Sequence, residues 1–286
     1  MSAVVPGGAT RCADESTSAG VALAGTATQA VDWLVVERRG AWGRDGVADT
    51  DLPNGARQVL DRFAASGRVL LARRPDRRGS ETVVFRARTD ESGGTLTRTV
   101  LPGLEALTQA DVDAGGESVP APPLVLVCAH GRRDPCCARL GPPVYDALAP
   151  HADPALLWQS SHHGGHRFAA NVLALPAGIQ LGRVTPEDAR RVASLLVEGR
   201  IPLDLYRGRT IYPGPVQAAE VAIRQRLELD RVADLALLEE RDEEIRFAYP
   251  NGEVTARVIQ VPGPPVPPSC GADPEATVRY AVELGP

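Results

Sequence analysis

PLVLVCAHGRRDPCCARLGPPVYDALAP (123–150), HADPALLWQSSHHGGHRFAANVLALPAGIQLGRV (151–184) and TPEDARRVASLLVEG (185–199) form the continuous stretch whose reading decides the fold. PLVLVC (123–128) is an apolar run of strand length. ARLGPPVYDALAP (138–150) has helical spacing, interrupted early by Gly141 and two prolines. ALLWQSS (155–161) and NVLALP (171–176) read as strands, and GIQLGRV (178–184) returns from the second through Pro176–Ala177–Gly178. The last segment is a strongly marked helix, with Thr185 as N-cap, Pro186 at the first position, acids in the first turn and Gly199 as the stop. The order is β-α-β-β-β-α.

Working outward, the same order precedes it. WLVVER (33–38) is a buried strand, and LPNGARQVLDRFAASG (52–67) has helical period and a terminal glycine. RVLLARR (68–74), TVVFRAR (82–88) and TLTRTVL (95–101) are strands, and LEALTQADVD (104–113) is a helix. The two passes are offset by about ninety residues, which predicts an α/β (α+β) chain of two tandem thioredoxin-like units. Their expected bounds are 20–117 and 122–200, with SVPAPP (118–123) as linker and 201–286 as a C-terminal region. In that region 213–239 reads as one or two helices ended by the acidic run EERDEE. IRFAYPNGEVTARVIQV (245–261) reads as a hairpin with Asn251–Gly252 in a type I′ turn, and VPGPPVPPSCG (261–271) as a Pro-rich arm.

Composition removes several function classes. All 31 cations among the 286 residues are arginine, so neither a P-loop lysine nor an imine-forming lysine exists. A net charge of −5 gives no field for nucleic acid or anionic membrane, and the acid-rich C-terminal region offers no basic recognition face. The first twenty residues carry no positively charged n-region and no apolar h-region, and no apolar run reaches membrane-spanning length. The expectation is a soluble cytoplasmic protein without nucleic-acid or membrane partners.

Five cysteines, an odd number without a secretory signal, argue against a disulfide framework. Most soft ligands fall between 128 and 166, in two loops that each follow a strand: Cys128–Cys137, containing His130, and Ser161–His166, containing His162, His163 and His166. In a thioredoxin-like sheet neighbouring strands deliver both loops to one end. Structural zinc favours closer cysteine pairs than C-x₈-C, and two glycines between the histidines favour a loop over a helix. Two thiolates and two imidazoles are also the inventory of a Rieske-type [2Fe–2S] centre. Cys128-Ala-His130 matches the first half of a Rieske motif, but the second half is missing. A vicinal Cys136–Cys137 pair would suit a thiol–disulfide or peroxide-handling enzyme, although no C-x-x-C is present. Zinc at the same residues, in a zinc-stabilised binding module, is the third possibility. Cys12 and Cys270 read as isolated thiols, or as a second pair joining the chain's ends. Arg132, Arg133 and Asp134 read as a solvated turn or an outer shell, and His151 and Tyr145 as ordinary surface or packing residues.

CAHGRRDPCC (128–137) and HHGGHRFAANVLALPAG (162–178) resemble the sucrase/ferredoxin-like family. GRVTPEDARRV (182–192), GRIPLDLYRGR (199–209), PVQAAEVAIR (215–224) and LAGTATQAVDWLVVERRGAWG (23–43) extend the resemblance over most of the chain. It implies a thioredoxin-like ferredoxin unit binding a [2Fe–2S] cluster, with Cys128 and Cys137 on one iron and His162 and His166 on the other. It further implies a one-electron carrier or redox sensor, working with a reductase or acceptor protein, rather than an enzyme. Reduction is expected to be coupled to protonation at the ligand imidazoles. No paired carboxylates are placed for glycoside hydrolysis, so no such activity is expected.

Overall fold

The computed structural model describes residues 11–120 and 122–285; the first ten residues, Ala121 of the expected linker and Pro286 lie outside the described residues. The chain enters through a short helix α1 (Cys12–Ser18), then β1 (Asp32–Glu37), α2 (Asn54–Ala64), β2 (Arg68–Arg73), β3 (Thr82–Arg88), β4 (Thr95–Leu101), α3 (Gln109–Ala114) and the two-residue β5 (Glu117–Ser118). It continues through β6 (Leu124–Cys128), α4 (Pro135–Leu148), β7 (Leu157–Ser160), β8 (Val172–Leu175), β9 (Ile179–Leu181), α5 (Ala189–Val197) and β10 (Tyr206–Arg209). No helix among the described residues is long and apolar enough to cross a membrane.

The two passes form matching half-sheets. In the first, β1 lies parallel to β2 and antiparallel to β3, and β3 is antiparallel to β4. In the second, β6 lies parallel to β7 and antiparallel to β8, and β8 is antiparallel to β9. Each half therefore has the thioredoxin-like strand order that the β-α-β-β-β-α reading implied. The halves join edge to edge where β2 pairs antiparallel with β7, Ala72 opposite Ser160 and Arg73 opposite Gln159. One ten-stranded mixed sheet results. Pairing the two edges removes exposed backbone donors that would otherwise invite another strand.

The central strands β1 and β6 are almost wholly buried because both faces of the sheet are covered there. Along β1, Trp33 and Val35 enter one core cluster with Leu70 and Phe85, while Leu34 and Val36 enter another with Ala56 and Leu60. Around β6, Val125 and Val127 pack on Val144 and Leu148 of α4 and on α5, while Leu124 and Leu126 face the Trp158 side. Burying each such side chain stabilises the fold by roughly 1.5–3 kcal/mol.

One helix starts earlier than its sequence pattern implied, and another forms as expected. α4 is continuous from Pro135 through Pro142 and Pro143, starting three residues before the sequence pattern suggested. The reason is local: the Asp134 side chain accepts the Cys136 N–H at 2.8 Å and Pro135 fills the first helical position. The vicinal cysteines thus belong to the first helical turn. The 185–199 helix forms as expected, as one 3₁₀ turn (186–188) leading into α5, with Thr185 and Asp188 in a reciprocal capping box.

After β10 come α6 (Gly214–Leu227), β11 (Ala236–Arg241), β12 (Glu244–Tyr249), β13 (Gly252–Val266) and β14 (Glu275–Leu284). The last four form a separate antiparallel sheet in sequence order. One α-helix and one 3₁₀ turn (Val232–Asp234) form in 213–239, and the acidic run forms parts of β11 and β12 and the turn between them. The expected hairpin forms, but Tyr249 pairs with Gly252, so Pro250–Asn251 is the loop and the turn is not type I′. Proline cannot take the positive φ that type I′ needs. The supposed Pro-rich arm begins as the end of β13, paired with β14.

Candidate metal centre

β6 ends at Cys128, which is 1 % exposed, and α4 brings Cys137, fully buried, against it. The approach is close: a Cβ on Gly141 would meet the Cys128 carbonyl oxygen at 1.9 Å, so the glycine that looked like an interruption lets α4 cross the strand end. The second loop leaves β7, and Ser161 ties it to the neighbouring half-sheet. Its N–H donates to the Leu71 carbonyl at 2.6 Å, and its Oγ accepts the Leu71 N–H at 3.0 Å.

That loop presents His162 to the thiols, with Nδ1 at 3.9 Å from both Cys128 Sγ and Cys137 Sγ. The three ligand atoms lie within 4.8 Å of one another. The His166 ring stands 5.1 Å from that of His162, centroid to centroid. His166 Nε2 donates to the Pro268 carbonyl and sits 3.8 Å from Asp134 Oδ2. Its Nδ1 is buried and has no hydrogen-bond partner. Buried polar atoms are rarely left so. His166 is the one expected ligand outside the group whose atoms lie within 4.8 Å of one another, although its ring neighbours that of His162.

The thiol pair is electrostatically asymmetric. Cys137 donates to Cys128, which together with His162 holds Cys128 well below the ordinary thiol range despite burial. The same arrangement pushes Cys137 up. Cys128 is therefore the first to ionise, and a bound cation is what would draw the second proton away.

The sucrase/ferredoxin-like family model matches residues 23–208, which takes in both half-sheets and all four expected ligands. The chain belongs to the sucrase/ferredoxin-like family. It is also similar to proteins called altered inheritance of mitochondria protein 32: 36 % identical over 99 residues to that of Clavispora lusitaniae, covering 31 % of this chain and 35 % of that one. The Meyerozyma guilliermondii protein is 34 % identical over 98 residues (30 % and 34 %), and the Debaryomyces hansenii protein 36 % over 95 residues (30 % and 35 %). The matches span about a third of those relatives' length. No solved structure matches the chain.

Several residues around the Cys128–Cys137–His162 group have roles that spacing did not reveal. His130, which the Rieske-like reading placed beside Cys128, has both ring nitrogens occupied: Nδ1 accepts the His162 N–H at 3.1 Å, so Nε2 carries the proton and donates to the Gly43 carbonyl at 2.7 Å. His163 is not in the group whose ligand atoms lie within 4.8 Å of one another; Gln180 Nε2 donates to its Nδ1 at 3.2 Å and to its carbonyl at 3.0 Å, while its Nε2 is buried without a partner, like Nδ1 of His166. Burial pushes its imidazole down to about 4, so it is neutral near neutral pH. Arg207, buried beneath the loop, donates to the Gly164 carbonyl at 3.1 Å and to Asn171 Oδ1 at 2.7 Å. Gly165 has φ +73°, and a Cβ there would lie 2.4 Å from the Arg207 guanidinium, which is why this turn of the H-x-G-G-H sequence is glycine.

Asp134 belongs with these: it is 1 % exposed, whereas its neighbours Arg132 and Arg133 are at the surface. The Asp-Pro start signal of a helix was the clue available in the sequence. Cys12 and Cys270 are not isolated. They meet Cys136 and Asp134 in a second cluster of sulfur and oxygen, described below. Tyr145 packs in the core of the second half, and His151 is exposed, both as expected.

Proposed function

We propose that the chain is an electron-transfer or redox-sensing protein holding a [2Fe–2S] cluster through Cys128, Cys137, His162 and His166. The observation that carries this reading is the orphaned, buried Nδ1 of His166, whose ring stands 5.1 Å from that of His162 in the Cys128–Cys137–His162 group. A donor set of two thiolates and two imidazoles suits such a cluster, and iron would satisfy the otherwise unpaired atom. Bound there, the cluster supplies reversible one-electron chemistry. The protein's own residues bind and orient: Asp134 and the Pro268 carbonyl hold the His166 ring, His130 fixes the backbone of His162, and the apolar sheet ends exclude water from both cysteines. His162 lines a cleft of about 420 Å³ with His130, Arg133 and Asp45, so it is the ligand through which a redox partner and a proton reach the site. A reductase or acceptor protein in the cytoplasm is the partner this reading requires.

A second reading has an observation of its own. His162 Nδ1 is equidistant from the two sulfurs at 3.9 Å, close to the edge of a tetrahedron around a single zinc ion. The helix-borne Cys136–Cys137 pair gives less support to thiol–disulfide chemistry, because neither thiol is exposed. Anaerobic purification separates these readings. A red-brown protein with about two irons and two sulfides per chain is expected. A colourless, iron-free chain with zinc bound by Cys128, Cys137 and His162 would replace the proposal with the zinc reading.

A further inference from the structure

Outside the Cys128–Cys137–His162 group, the described residues hold one other cluster of metal-type ligands, and it joins three distant parts of the chain. Cys12 is the first residue of α1, Cys136 lies in the first turn of α4, and Cys270 lies in the loop between β13 and β14. Their sulfurs form a nearly regular triangle: Cys12–Cys136 3.6 Å, Cys136–Cys270 3.4 Å and Cys270–Cys12 3.6 Å. Asp134 Oδ1 closes the figure at 3.3 Å from Cys270 Sγ and 3.8 Å from Cys12 Sγ, and all four ligand atoms lie within 4.8 Å of one another. Cys12, Cys136 and Asp134 are buried, each 1 % exposed or less.

These lengths have a simple origin. A tetrahedral zinc with Zn–S bonds of about 2.3 Å places its sulfurs about 3.8 Å apart, and a carboxylate oxygen about 3.5 Å from each. Thiolates shared among several irons would be spread more widely than this. A disulfide between any two of the three would leave the third thiol beside a buried carboxylate with no cation to balance its charge, which is costly. The carboxylate is already oriented as a ligand, since its oxygens accept the Cys136 N–H at 2.8 Å and the Cys270 N–H at 2.9 Å.

We propose that Cys12, Cys136, Cys270 and Asp134 form a second, structural metal site that binds one zinc ion and clamps α1 and the β13–β14 loop onto the start of α4. The site is independent of the identity of the metal at Cys128 and Cys137, but it is mechanically linked to that centre. Cys136 adjoins Cys137, Asp134 contacts His166, and the Pro268 carbonyl that holds His166 lies two residues before Cys270. Zinc suits the site because it has no redox chemistry of its own and readily takes a closed set of sulfur and oxygen donors.

The test uses the full chain, purified anaerobically and supplied with zinc chloride, with metals counted per chain and the zinc environment read by X-ray absorption. About one zinc per chain is expected, surrounded by three sulfurs and one oxygen. Cys12→Ser and Cys270→Ser should each lose that zinc while keeping the metal at Cys128 and Cys137. Cys128→Ser should do the reverse. Removing zinc should also speed hydrogen exchange in residues 12–18 and 266–272. Zinc in a two-sulfur, two-nitrogen environment, no zinc at all, or a disulfide joining two of the three cysteines in the purified protein would overturn the proposal. The absorption measurement on the unaltered chain decides the matter even if a serine variant does not fold.

Discussion

The His162 backbone N–H donates to Nδ1 of His130 at 3.1 Å, and His130 is itself anchored through Nε2 on the Gly43 carbonyl of the first half-sheet's loop. Through His130, Gly43 of the first half thus fixes the backbone of His162 in the second. His130 further packs edge-on against Trp42, with ring centroids 5.7 Å apart. Replacing His130 by alanine removes both bonds and the packing. Metal affinity at the Cys128–His162 centre should fall by roughly 10- to 100-fold, the usual cost of losing such an orienting partner. Iron or zinc retention against a competing chelator measures this, and unchanged retention would show that His130 only fills space.

In the proposed cluster, two neutral imidazoles in place of two thiolates would remove two negative charges and favour the added electron. The expected potential is well above the roughly −400 mV of plant-type ferredoxins, in or near about −150 to +300 mV. His162→Cys and His166→Cys should each lower it where the metal is retained. Redox titration followed by absorbance and electron paramagnetic resonance measures the shift. A value for the unaltered protein near that of four-cysteine ferredoxins would contradict the proposed ligand set.

Proton coupling is expected at His162 more than at His166. The Nε2–H of His166 is held by the Pro268 carbonyl beside Asp134, so its proton stays in place. His162 reaches the cleft, and among the described residues its ring has only the two sulfurs as hydrogen-bond partners, both on Nδ1. Between the proton affinities of the oxidised and reduced forms, the potential should fall by about 59 mV per pH unit, as one proton accompanies one electron. His162→Cys should flatten the slope and His163→Ala should leave it. Loss of the slope in His163→Ala alone would point to the other histidine.

His163 gives a pH dependence of stability. Burial lowers its folded-state value to about 4, against about 6.5 in an unfolded chain. Between these values the unfolded chain takes up a proton that the folded chain does not. Its contribution is therefore fully present above pH 6.5 and is lost as pH falls towards 4, by something on the order of 3 kcal/mol. Urea midpoints across this range should drop with acid in the unaltered protein. In His163→Leu the drop should be shallower, although the variant starts lower because Gln180 loses its acceptor. An equally steep limb in both proteins would assign the effect to another group.

Much of this protein is written locally. The apolar runs at 33–38 and 123–128, the Thr185–Pro186 helix start and the Gly199 stop follow from side-chain volume, cap chemistry and backbone freedom within a few residues. So the twofold β-α-β-β-β-α order was legible, as was the concentration of soft ligands between Cys128 and His166. The C-terminal sheet was half legible: the 245–261 hairpin carries clear alternation, but β11 is acidic and edge-exposed, so its pattern resembled a solvated helix end.

What local signals could not supply is adjacency between residues far apart in sequence. The β2–β7 seam depends on two edges finding each other, and only it brings Leu71 to Ser161 and Gly43 to His130. Asp134 looked like part of a charged turn because its burial is imposed by α1 and the β13–β14 loop, 122 and 136 residues away at Cys12 and Cys270. The sequence by itself determined which ligands exist and which strands carry them. The tertiary structure decided which nitrogen of each histidine is free and which cysteines meet, because hydrogen-bond partners and burial come from the packing of whole elements.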